Sequence, residues 1–194
     1  LEQDLERLIE IRSNWNKVYE DPKLEEFINQ LNSNEELASK KIIIFTESKE
    51  TGDHIYKNLN ETFVGKVVFF SGGGGVTNEG NHSVNNARNI IKQNFDPNHK
   101  NPVDDLSILI TTDILAEGIN LHRSNIVVNY DLPWNPTRVL QRVGRVNRVG
   151  TDHGKIFIYN FFPTDQSERE INLTEVISVS TSQPVISPSF ASFS

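Results

Sequence analysis

"KKIIIFTES", residues 40–48, decides how the rest of the chain is read. Ile42–Phe45 are four consecutive apolar residues, three of them β-branched, followed by the polar run Thr46-Glu47-Ser48. A half-buried strand would alternate apolar and polar side chains. An unbroken short run bounded by polar residues is a strand buried on both faces. The same texture returns in "VVFF" (67–70), "SILI" (107–110), "IVVNY" (126–130) and "IFIYNF" (156–161). Helical segments fall between most of these runs, at 48–59, 83–95 and 135–148. Strands alternating with helices predict a doubly wound α/β layer: a parallel sheet, helices on both faces, and ligand-binding loops at the strand carboxyl ends.

The flanks read differently. Residues 1–20 carry apolar side chains at three- and four-residue intervals, and Asp21-Pro22 is a helix start for a second helix to about Asn32. Residues 1–39 are therefore expected to be a helical lead-in and 40–163 the α/β domain. Residues 164–194 are expected to hold one helix and a Ser/Pro-rich tail, extended or disordered.

Bulk numbers narrow the class. The 194 residues carry 19 basic and 26 acidic side chains, a net charge of −7, and no cysteine, so disulfides and thiolate metal sites are excluded. The five histidines are scattered, and no metal site is expected. No apolar run approaches the ~20 residues of a membrane span, so no membrane partner is expected. No leader pattern opens the chain, and a cytoplasmic location is expected. Methionine is absent even from position 1, which leads to the expectation that the chain is a piece of a larger protein.

Against this acidic background, "QRVGRVNRVG" (141–150) stands out. Arg138, Arg142, Arg145 and Arg148 recur with no acid between Asp131 and Asp152. Asn135-Pro136 starts a helix. On it the arginines and Gln141 fall between roughly 280° and 40°, with Val139, Leu140, Val143 and Val146 nearly opposite. The valines are expected on the sheet and the arginines in a cleft. Like charges three and four apart cost about 0.2–0.5 kcal/mol per pair unless water or an anion offsets them. A solvated face or a general nucleic-acid patch fits charge alone. So does a phosphate site, since the planar guanidinium suits phosphate oxygens. The neighbouring "ILITTDILAEGINL" adds polar Thr111, Thr112 and Asp113 where a buried strand ends, and Gly118 where backbone can approach a ligand closely.

Taken together these segments resemble the second RecA-like domain of superfamily 2 helicases and translocases. "KKIIIFTES" looks like motif IV, "TTDILAEGIN" like motif V and "QRVGRVNR" like motif VI; Arg88 in "NNARNIIKQNF" stands where the family has an arginine. "NYDLPWNPTRVLQRVGRVNRVG" is similar to the Snf2-like branch. The resemblance implies that Arg145 and Arg148 are catalytic, reaching across to nucleotide phosphates. It implies Gln141, Arg142, Gly118 and Asn120 near the nucleotide, Arg142 matching an arginine that more often braces the motif. It implies Thr111, Thr112 and Ser71 on the nucleic acid backbone, with DNA favoured over RNA. ATP with Mg2+ would be bound mainly by a first RecA-like domain, the implied partner in the same protein. Asn120 replaces the more usual Asp, and Thr151 a Gln.

The chain lacks the parts that hold a triphosphate. No Gly-Lys-Ser or Gly-Lys-Thr occurs, "VGKVV" and "HGKIF" lacking the hydroxyl, and no apolar strand ends in Asp-Glu. The fragment alone is expected to be inactive as an ATPase. "SGGGGVTNEGNHS" (71–83) is expected to be a flexible loop rather than a phosphate cradle. Two other classes remain: a non-catalytic helicase-like binding module, and a dinucleotide enzyme. The latter would want G-x-G-x-x-G where "TESKETGDH" stands.

Overall fold

The computed structural model describes residues 2–15, 21–116, 118–146 and 155–161. They form two compact units that divide between Ala38 and Ser39. The first unit is helical: α1 (Glu2–Trp15), α2 (Pro22–Ser33) and the single turn α3 (Glu35–Ala38). Asp21 caps α2, its side chain accepting from the Leu24 amide at 3.0 Å, and Pro22 takes the first helical position. The expected helix over 164–194, and its tail, lie outside the described residues.

The second unit is a seven-stranded sheet in the order β4-β3-β2-β5-β1-β6-β7. Its strands are β1 (Ile42–Phe45), β2 (Val67–Ser71), β3 (Gly74–Thr77), β4 (Gly80–His82), β5 (Ile108–Thr111), β6 (Ile126–Asn129) and β7 (Phe157–Asn160). β1 lies at the centre, parallel to β5 and β6, with Ile42 in register with both Ile108 and Ile126. β2 and β7 extend the parallel set on either side. Every residue of β1, β2, β5 and β6 is buried, which is why their sequences run apolar without alternation.

Helices cover both faces. Successive side chains of a strand point to opposite faces. On α4 (Lys49–Thr62) a Cβ at Gly52 would lie 2.3 Å from the Phe69 ring, so α4 packs on the Phe69 face. α5 (Val84–Phe95) contributes Ala87, Ile91 and Phe95 to the core around Phe70, Phe45 and Leu109 on the other face. The same core takes Val146 from α6 (Pro136–Val146). Ser48 and Ser83 cap α4 and α5, and the Asn135 side chain accepts from the Thr137 amide at 3.0 Å at the start of α6. This is the expected RecA-like doubly wound layer.

One expectation fails. The glycine-rich segment is not a loose loop: β3 and β4 form a hairpin that extends the sheet antiparallel from β2. The glycines serve packing. A Cβ at Gly75 would sit 2.6 Å from the Cβ of Ala87, so glycine lets α5 lie directly on the strand. Gly74 has φ +126° and a Cβ there would meet the His82 carbonyl at 2.4 Å. The hairpin is pinned further by His82, whose ring pairs with Thr77 Oγ1 at 2.8 Å and Asn86 Nδ2 at 3.1 Å.

Candidate nucleotide and nucleic-acid grooves

The carboxyl ends of β1, β5 and β6 release Glu47, Asp113 and Asp131, and α6 runs past all three. Its buried line passes through Val139, Arg142 and Val146, while Leu140 is half exposed. The helix is thus turned from the expected orientation, and one arginine faces inward. Arg142 is 1% exposed and uses every donor it has. Nε donates to Asp113 Oδ1 at 2.7 Å. Nη1 donates to Asn129 Oδ1 at 3.0 Å and the Asp131 carbonyl at 3.1 Å. Nη2 donates to Glu47 Oε1 at 2.6 Å and Asp113 Oδ2 at 3.1 Å. Its guanidinium also lies 5.2 Å from the Phe45 ring centre. Five donors and five acceptors leave nothing for a ligand. Arg142, expected near the nucleotide as an arginine that more often braces the motif, here ties three strand ends together.

Arg138 and Arg142 are charge-compensated although no acid stands between Asp131 and Asp152 in the sequence. Acids absent from the local sequence arrive from other strands. Arg138, half exposed, gives one nitrogen to both Glu47 (3.1 Å) and Asp113 (3.5 Å). Asp131 in turn accepts from the Thr46 hydroxyl at 2.5 Å and the Glu47 amide at 3.2 Å.

Arg145 differs. It is half-buried, and among the described residues it makes no ion pair or side-chain hydrogen bond. It lines a groove of about 950 Å³ together with Gly144, Gly118 and Asn120. Among the described residues, Lys92, Lys100, His99 and His122 also line this groove, against a single acid, Asp96. Gly118 holds φ +83° with open space around it, so the backbone turns there and leaves the wall bare. The Asn120 side chain accepts from the His122 amide at 3.1 Å, which fixes its direction. Three of the expected nucleotide residues thus meet. Gln141 is exposed and lines neither this groove nor the next, and Arg148 lies outside the described residues.

A second groove, about 430 Å³, opens at the strand carboxyl ends between Ser71, Gly72, Thr112, Lys49 and Arg138. Ser71 and Thr112 both line it. Thr111 does not line it: it is wholly buried in β5, its hydroxyl donating to the Thr112 carbonyl at 3.0 Å. Arg88 stacks its guanidinium 5.9 Å from the Phe70 ring centre, with Nε buried and lacking a hydrogen bond.

At the opposite end of the sheet lies a second charged cluster, which lines neither groove. Lys41 donates to the Leu106 carbonyl at 2.5 Å and pairs with Asp104 at 2.7 Å. Arg123 joins Asp104 (2.8 Å) and the Val103 carbonyl (2.6 Å). Burial holds the Lys41 ammonium below the usual lysine range despite Asp104. The hydrogen bond from Lys41 holds the Asp104 carboxyl below the usual carboxylate range. Among the described residues no cluster of His, Asp or Glu could hold a metal ion, and no helix is long and apolar enough to cross a membrane.

The two grooves can be set beside known proteins. An uncharacterized ATP-dependent helicase, YqhH of Bacillus subtilis, is 32% identical over 136 residues, 68% of this chain and 20% of the relative. The ATP-dependent RNA helicase uap56 of Schizosaccharomyces pombe is 38% identical over 79 residues, 37% of this chain and 18% of the relative. The chain thus spans about a fifth of the length of these relatives. Among solved structures, the C-terminal part of the Fun30 ATPase domain superposes with a TM-score of 0.61 at 21% identity, covering 90% of this chain and 53% of that one. The family model described as helicase conserved C-terminal domain matches residues 22–150. The chain belongs to that family, the second RecA-like domain of superfamily 2 helicases.

Proposed function

We propose that this chain is the C-terminal half of an ATP-dependent nucleic-acid motor. It delivers Arg145, and Arg148 beyond it, to the phosphates of a nucleotide seated on a first RecA-like domain. The observation that carries this reading is the unspent guanidinium of Arg145 in the same groove as Gly118 and Asn120. Among the described residues the groove fits a polyphosphate in charge: Arg145, Lys92 and Lys100 outnumber Asp96, and the bare backbone at Gly118 lets a flat group approach. ATP, once bound, supplies the cleavable phosphoanhydride. Arg145 offers positive charge where negative charge grows on the transferred phosphoryl group, and Arg142 sets the angle of the helix that presents it. Mg2+ and the attacking water belong to the first domain, since this sequence has neither P-loop nor Asp-Glu strand end.

The second groove takes the nucleic acid backbone, with hydroxyls from Ser71 and Thr112 and little base readout. Double-stranded DNA is favoured over RNA because "NYDLPWNPTRVLQRVGRVNRVG" has a Snf2-like form; the S. pombe relative, by its name, is an RNA helicase. ATP hydrolysis by a longer chain carrying both RecA-like domains tests the reading. DNA is expected to stimulate turnover more than RNA does, and the 194 residues alone are expected to show none. Turnover by the isolated chain, or none by the longer one, overturns it, the latter leaving a non-catalytic binding module.

A further inference from the structure

Arg138 was left without a role by the arginine pattern, and its surroundings supply one. Its side chain is 52% exposed and lines the groove of Ser71 and Thr112. Only Nη1 is engaged, shared between Glu47 Oε2 at 3.1 Å and Asp113 Oδ2 at 3.5 Å. Among the described residues, Nε and Nη2 make no hydrogen bond, so the two-nitrogen edge that suits a phosphate is open. Glu47 is anchored from the other side: its Oε1 is held at 2.6 Å by the buried Arg142. If Arg138 swings away, Glu47 and Asp113 each keep a contact with Arg142, and the corner is left with one net negative charge rather than two.

Two acids and two arginines make this corner of the groove neutral, and Lys49 is the one further cation lining it. An anionic strand gains little there until Arg138 changes partner. An exposed ion pair contributes little to stability, whereas a guanidinium on a phosphodiester releases a condensed counterion. We propose that Arg138 is a backbone-phosphate contact held in reserve by Glu47, which occupies the anion position until a nucleic acid strand displaces it. This rests on the assignment of the second groove to nucleic acid. Glu47 is then a selectivity element. It raises the threshold for weak anions and yields to a strand that also reaches Ser71 and Thr112.

The test is equilibrium binding of fluorescent homopolymeric DNA and RNA across a salt series, for the wild-type chain, Arg138→Gln, Glu47→Gln and the double variant. Arg138→Gln is expected to weaken binding to every sequence and to reduce the slope of log K against log salt by about one. Glu47→Gln, whose amide oxygen still accepts from Arg142, is expected to tighten binding several-fold, and Arg138→Gln in that background abolishes the gain. Binding by the wild type with an unchanged slope in Arg138→Gln overturns the proposal and leaves the groove assignment standing. Unchanged or weaker binding by Glu47→Gln refutes the reserve role. Absence of wild-type binding to either polymer removes the groove assignment and this inference with it.

Discussion

Arg142 and Arg145 are one turn apart on α6, of the same residue type, and opposite in use. Arg142 is buried with five donors on five acceptors, while Arg145 has none of its charge answered by the described residues. The difference comes from what surrounds each stretch of helix. The middle of α6 crosses the carboxyl ends of β1, β5 and β6, where Glu47, Asp113 and Asp131 gather. Its last turn leaves them and meets backbone at Gly118 and a wall of lysines. A fold can thus spend one guanidinium on structure and hold the next available, and that availability is the better pointer to function.

Substitutions at the two arginines should separate these uses. In a protein carrying both RecA-like domains, Arg145→Ala is expected to lower ATP turnover by about 10³-fold or more with nucleic acid bound, as loss of an arginine finger does. Its unfolding free energy should stay within ~0.5 kcal/mol of wild type, as for a surface change. Turnover within a few-fold of wild type would reject Arg145 as the finger. Arg142→Ala reverses the pattern. It strands Asp113 and Glu47 beside a cavity, and should cost about 3 kcal/mol in urea unfolding. An unfolding midpoint equal to wild type would show that the network contributes nothing.

Two further changes probe the ends of the sheet. Gly74→Ala puts a Cβ against the His82 carbonyl at a left-handed φ, and should destabilise by about 2 kcal/mol, measured by thermal melting. No shift would mean that the hairpin contributes little. Asp104→Asn should have the smallest effect, under ~1 kcal/mol at neutral pH, because the carboxylate is largely exposed. The folded Asp104 carboxyl is held below its unfolded value. Its contribution is therefore full above the unfolded pKa and is lost as pH falls through the folded one. Wild-type and variant stabilities should converge below about pH 4, and parallel curves would contradict this.

Much of this was legible in the residues. Unbroken apolar runs located the central strands to within a residue, and Asp21, Ser48, Ser83 and Asn135 marked helix starts. Arg145, Gly118 and Asn120, singled out by their motifs, line one groove. The acids were not legible as partners. Glu47 is 95 positions from Arg142, and nothing in the local pattern of either signals the other. The strand-end rule could have found Glu47, which follows β1 as Asp113 follows β5. The hairpin was hidden for another reason: glycines carry no side-chain alternation, and what makes Gly75 necessary is Ala87 on a helix that follows. The burial of Thr111 was hidden because a hydroxyl at a strand end reads as exposed, whereas the strand runs one residue further.

The position of β1 has a consequence for how the molecule is made. Of the seven strands described it is synthesised first, yet both its neighbours, β5 and β6, are synthesised long afterwards. Until residues 108–111 emerge, Ile42–Phe45 have no sheet to join, and the strand built next, β2, finds only the hairpin. Nascent chains therefore carry an unpaired apolar tetrapeptide while residues 46–107 are made, and such non-local pairing is expected to slow closure of the sheet.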